Sequence, residues 1–123
     1  MNLFYRFARM KLGRFLIRFL FSKMPFALPV NRLCQTDNLI AFQHPKPSHP
    51  FHIIIVPRKP VASLDALDPQ DTAFMSDLFS TVQGLVREYE LPAYRLIVNG
   101  GEYQEFPHLH FHLVSNSEPQ AKV

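Results

Sequence analysis

The chain has a single cysteine, Cys34, in 123 residues. A lone thiol closes no internal disulfide and completes no CxxC pair, so a disulfide-stapled secreted scaffold and a thiol-based redox or metal centre are both disfavoured. Acidic residues are missing from the start of the chain: Arg6, Arg9, Lys11, Arg14, Arg18, Lys23 and Arg32 all precede the first acid, Asp37. The formal surplus of +3 therefore belongs to that segment, because the thirteen Lys and Arg less those seven leave six against ten acids in the remainder. A net-acidic remainder does not suit a general nucleic-acid-binding face, and nucleic acid is not an expected partner. Long apolar runs are also absent. Arg14, Arg18, Ser22 and Lys23 interrupt the N-terminal stretch, well short of the roughly 20 apolar residues that span a bilayer. Recurring bases likewise fail the unbroken apolar core of a secretory signal. No internal repeat is present, and a chain of this length, 47% apolar, builds one domain around one core.

Within residues 1–23, Lys11, Arg14 and Arg18 fall on one helical stripe, with Phe15, Leu16, Phe19 and Leu20 away from it. This predicts a basic amphipathic helix, suited to an anionic membrane surface, to an acid-free organelle transit peptide, or to packing on its own domain or a partner copy. The chain accordingly divides into an extension over residues 1–30, a domain over 31–116 and a polar tail over 117–123. A cytoplasmic location is expected, with organelle targeting or peripheral membrane contact through residues 1–23 as the alternative.

Asn38 to Gln43 and Phe51 to Val56 read as strands, the second rich in β-branched residues and bounded by Pro50 and Pro57. The proline-dense segment from His44 to Pro50 between them is a loop of defined course. Asp68-Pro69-Gln70-Asp71 reads as a helix start, with Asp68 as N-cap and Pro69 in the first helical position. Phe74, Leu78, Val82, Leu85 and Tyr89 then recur on one buried face until Pro92 ends the element. Tyr94 to Val98 is a strand, Asn99-Gly100-Gly101 a turn, and Pro107 to Val114 a final strand.

That last segment carries the chemistry. Histidine alternates with a large apolar residue over His108-Leu109-His110-Phe111-His112-Leu113. On a strand the three imidazoles form one row while Leu109, Phe111 and Leu113 face the core. Three of the six histidines at period two point to a site rather than to packing. Two chemistries remain open at this level: a metal held by imidazoles, or nucleophilic and acid–base catalysis by histidine.

Residues His108 to Val114 fit the pattern His-φ-His-φ-His-φ-φ, with φ apolar, and the chain here resembles the histidine-triad (HIT) family. The resemblance extends from about Leu33 to Ser115 and takes in Leu39-Ile40-Ala41-Phe42, the proline-rich loop, and His52 to Lys59. It implies an α+β fold: a mainly antiparallel sheet of about five strands packed by one long helix, preceded here by the amphipathic helix. It implies that His110 attacks the α-phosphorus of a nucleotide and becomes nucleotidylated. His108 and His112 would line the phosphate site, and His52 matches the family's fourth histidine. Phe42, His44, Asn99 and Gln104 fall where the family contacts its nucleotide, although Asn99 reads equally as a turn residue before Gly100-Gly101. No metal ligand set and no cofactor is required, the substrate is expected to carry adenine, and a homodimer is the expected assembly.

The sequence departs from the family at two site positions. His44 stands where many members have the aspartate that binds the ribose hydroxyls, and one imidazole nitrogen does not mimic a carboxylate. Glu105 replaces a small hydroxyl residue and would repel substrate phosphates unless it points away or is protonated. Beyond the triad the sequence runs only to Val123, whereas a longer tail shapes the pocket and dimer in some branches. The leading expectation is transfer or hydrolysis of a nucleoside monophosphate from a dinucleoside polyphosphate or nucleoside phosphoramidate. The alternatives are a weakly active nucleotide-binding or interaction protein, and a metalloprotein using His108, His110, His112 and His52.

Overall fold

The computed structural model describes residues 32–117. The amphipathic helix predicted over residues 1–23 and all but the start of the polar tail lie outside the described residues. One α-helix covers one face of a five-stranded antiparallel sheet. The strands are β1 (Arg32–Gln35), β2 (Leu39–Gln43), β3 (Phe51–Pro57), β4 (Arg95–Val98) and β5 (Phe111–Ser115), in the order β1-β2-β3-β5-β4. The helix is α1 (Thr72–Glu88). Among the described residues no helix is long and apolar enough to cross a membrane.

Strand alternation sorts the residues by face. Leu39 and Ala41 of β2, Phe51, Ile53 and Ile55 of β3, and Phe111 and Leu113 of β5 point to the helix side, where they pack with Phe74, Leu78, Val82 and Leu85 of α1. The intervening positions, His52, His112, Val114 and Ile97 among them, belong to the opposite face. The pairing of β3 with β5 sets Ile54 opposite His112 and His52 opposite Val114, so the two histidines are diagonal neighbours on that face.

Four features differ from the sequence reading. A strand forms at Arg32–Gln35, which is too short and too polar to announce itself by alternation. The helix starts three residues later than predicted. Asp71, not Asp68, is the N-cap and accepts from the Phe74 amide at 3.2 Å, while Asp68 closes the preceding turn by accepting from Gln70 N at 2.9 Å. Pro92 does not end the helix either. Glu90 adopts a left-handed conformation at φ 50°. The Leu91 amide then reaches Val86 O at 3.0 Å and the Glu90 amide reaches Arg87 O at 3.2 Å, the paired bonds of a Schellman cap. Finally, the last strand begins at Phe111 rather than Pro107. The segment before it leaves the ladder because the Leu109 amide is taken by Val61 O at 2.7 Å.

Candidate active site

His52 on β3 and His112 on β5 meet directly, Nε2 of His52 lying 2.9 Å from Nδ1 of His112. Their partners fix the protons. The Ser48 amide donates to His52 Nδ1 at 3.2 Å, so the neutral His52 ring carries its proton on Nε2 and donates it to His112 Nδ1. The neutral His112 ring in turn carries its proton on Nε2. Burial, followed by the neighbouring imidazoles, pushes the pKa of each down to about 4. Both are therefore neutral near pH 7.

His110 is oriented differently. Its Nδ1 lies 2.8 Å from His108 O, and a carbonyl only accepts, so Nδ1 holds a proton and the lone pair of the neutral ring is on Nε2. The His110 ring stands edge-on to His112, with centroids 5.1 Å apart. With the His110 ring neutral, its Nε2 lone pair stands beside a ring whose N–H is available to donate.

His44 and Asn99 join these residues. The His44 amide bonds His52 O at 2.9 Å, carrying the β2–β3 pairing one step past Gln43. Its ring stacks on His52, centroids 4.3 Å apart and 28° between planes. Burial holds its pKa below the usual histidine value, against the nearby Glu105 carboxylate. Asn99 follows β4 at the turn where Gly101 takes φ 59°. Together with His110, Ile97, Glu105 and the loop residues Lys46, Ser48 and His49 these side chains line a cavity of about 470 Å³.

Three residues assigned to the site from the sequence lie elsewhere. His108 is 1% exposed and its Nε2 donates to Pro57 O at 3.2 Å, so it braces the segment ahead of β5 instead of lining the cavity. Gln104 is 2% exposed, and its amide nitrogen donates to Ala62 O and Phe106 O, both at 2.7 Å. Both amide protons are consumed, and Oε1 is buried without a partner. Phe42 is buried on β2 and is not among the cavity residues. Period two places the three triad histidines in one row only if the strand reaches back to Pro107. Conversely, the sequence reading does not assign Lys46, Ser48 and His49 to the site. The signal for them is the proline-dense loop, whose fixed course turns them toward His52.

His44, His52 and His112 offer ring nitrogens within 4.8 Å of one another, by count a metal-binding group. The donors do not suit one in this arrangement. Lys46 N donates to His44 Nδ1 at 2.9 Å as Ser48 N does to His52, so neither neutral ring has a lone pair left over. Ligation would break both backbone bonds or require an imidazolate.

A profile of the HIT domain matches residues 27–118. The chain belongs to the histidine-triad family. A HIT-like protein of Buchnera aphidicola is 30% identical over 95 residues, covering 74% of this chain and 83% of that protein. One from Azospirillum brasilense is 32% identical over 91 residues, covering 70% and 75%. Among solved structures, a HIT family hydrolase from Legionella pneumophila superposes with a TM-score of 0.72 at 23% identity, covering 83% of this chain and 91% of that one. A histidine triad protein from Clostridium difficile gives 0.70 at 23%, covering 89% and 91%. The α+β sheet-and-helix architecture described above is the HIT fold.

Proposed function

We propose that this HIT protein binds a nucleoside phosphate in the His44–His112 cavity and transfers or hydrolyses it through a nucleotidyl-His110 intermediate. The observation that carries the reading is the orientation of His110, whose Nδ1–H is committed to His108 O, so that in the neutral ring Nε2 is the nucleophilic nitrogen. The Nε2 lone pair forms a bond to the α-phosphorus. The bond from phosphorus to the leaving oxygen or nitrogen breaks, and the leaving group departs with that electron pair and takes a proton from water. His112 Nε2–H donates a hydrogen bond to the charge that develops, preorganised by His52. Water then attacks the phosphorus and loses a proton to solvent, replacing the one the leaving group took, while the phosphorus–Nε2 bond breaks and returns its electron pair to His110. A structural neighbour from Clostridium thermocellum is named a HIT family hydrolase, which agrees with such a class of reaction.

The test is steady-state turnover of adenosine 5′-phosphoramidate by the full chain. Release of AMP by the wild type, with a loss of at least about a thousand-fold in His110→Ala, supports the reading, and equal rates overturn it. Nucleotide binding with little turnover is the second reading, favoured by the Glu105 carboxylate lining the same cavity and opposing phosphate there. Tight AMP binding without AMP release would select it.

A further inference from the structure

The ring lone pairs at the heart of the cavity are spent. His52 Nδ1 accepts from Ser48 N at 3.2 Å, His112 Nδ1 accepts from His52 Nε2 at 2.9 Å, and His44 Nδ1 accepts from Lys46 N at 2.9 Å. In each of these neutral rings the other nitrogen carries a proton. His110 keeps its Nδ1 proton against His108 O, and in a nucleotidylated His110 the Nε2 lone pair is in the bond to phosphorus. None of the four takes a proton from water without first giving up a hydrogen bond, yet hydrolysis of the intermediate removes one from the attacking water.

Glu105 has the capacity they lack. Its backbone is held by its neighbour: Gln104 N donates to Gly101 O at 3.1 Å, and the Gln104 side chain bonds the Ala62 and Phe106 carbonyls, both at 2.7 Å. Gln104 is thereby committed to the interior, and the next side chain, Glu105, lines the cavity with His110 and His112. The residue after it, Phe106, stands edge-on to His110 with centroids 6.2 Å apart, so Glu105 belongs to the segment that flanks the reacting ring. Burial lowers the pKa of both His44 and His112, and Glu105 is the carboxylate whose charge opposes that at both rings. Among the described residues no donor occupies its oxygens. His49 is the other cavity residue with basic capacity, but its Nδ1 is engaged with Ser48 Oγ at 2.9 Å, and it faces a second cavity with Tyr94 and Arg95.

We infer that Glu105 is a catalytic base of the second half-reaction, which accepts the proton of the water that attacks nucleotidyl-His110 and so commits the site to hydrolysis. The role rests on the nucleotidyl-His110 reading. The water oxygen forms its bond to phosphorus, the phosphorus–Nε2 bond breaks with its electron pair returning to His110, and the water proton passes to a Glu105 oxygen. The carboxylic acid so formed releases that proton to solvent, which restores the carboxylate. Before the leaving group departs, Glu105 has no bond to make or break.

The experiment separates the two half-reactions. The full chain is mixed with adenosine 5′-phosphoramidate, and ammonia release, AMP release and the His110 adduct, measured by intact mass after an alkaline denaturing quench, are followed together. Glu105→Gln keeps the shape of the side chain and removes the base. It should form the adduct and release the first equivalent of ammonia at least as fast as the wild type, then release AMP about a hundred-fold more slowly, so that the adduct accumulates. In Glu105→Ala, at an exposed position, added formate should restore AMP release by serving as the missing base. AMP release from Glu105→Gln at the wild-type rate or faster overturns the inference and leaves the intermediate standing, as does slow release in His49→Gln with normal release in Glu105→Gln. Equal slowing of ammonia and AMP also overturns it, because a base acting on water alone does not touch the first step. Absence of the adduct from all of these proteins overturns the nucleotidyl-His110 reading itself.

Discussion

Acidification from about pH 7 to about pH 4 destabilises this domain through His52 and His112. Both rings have folded pKa values near 4, below the usual 6.5, so the unfolded chain binds protons that the folded chain refuses between those limits. Stability is complete above pH 6.5 and is lost progressively as the pH falls toward 4. Each displacement taken alone corresponds to on the order of 3 kcal/mol. The two rings share one hydrogen bond and His112 is partly exposed, so the pair together contributes about 3–4 kcal/mol. His44 and His108, also lowered chiefly by burial, act in the same direction. Asp65 and Asp77 act in a lower window. Hydrogen bonds from Ser63, and from Asn38 and Thr36, hold these carboxyls below the usual 3.8, so their stabilisation is lost only in stronger acid. Urea unfolding followed by far-UV circular dichroism suits a chain without tryptophan. The midpoint should fall steeply across this range in the wild type and much less in a His52→Asn, His112→Asn double variant. An identical pH slope in the two proteins would refute the assignment of neutral, buried imidazoles.

Other perturbations test the scaffold that places the site. Glu90→Gly removes a side chain from a left-handed C-cap position and should raise stability by about 0.5–1 kcal/mol, read as a rise of a few degrees in Tm. Asp71→Ala removes the helix N-cap and should cost about 1 kcal/mol. Its ion pair with the exposed Lys59 adds little, so Lys59→Ala should leave the unfolding midpoint nearly unchanged. Gln104→Ala strands the carbonyls of Ala62 and Phe106 and should cost about 1–3 kcal/mol. Because Gln104 braces the segment before His110 without reaching the cavity, kcat should fall while KM stays close to wild type. A KM effect alone would return Gln104 to substrate contact.

Much of the fold is legible from alternation and periodicity alone. The stripe from Phe74 to Leu85 and the β-branched run from Phe51 to Val56 are long enough for burial to dominate local preference. The parts that escape are decided by tertiary hydrogen bonds. Leu109 reads as a strand residue, yet its amide bonds Val61 rather than a neighbouring strand, and that contact takes His108 and His110 off the ladder. Asp68 and Asp71 are both capping residues separated by one turn, and sequence does not say which one the helix uses. At the site, His44, His52, His110 and Asn99 are brought together as their positions suggest. The lining contributed by Lys46, Ser48 and His49 depends on the path of a proline-rich loop that no periodicity describes. Gln104 has the right spacing for a ligand contact, but its amide is committed to two backbone carbonyls.

The most direct test of the central claim is to trap the intermediate. The full chain and His110→Ala are incubated briefly with adenosine 5′-phosphoramidate, quenched under denaturing alkaline conditions that preserve phosphorus–nitrogen bonds, and studied by intact mass and peptide mapping. The account predicts an adenylyl adduct on the peptide containing His110 in the wild type and none in the variant. AMP release without an adduct, or an adduct that persists when His110 is replaced, would contradict it.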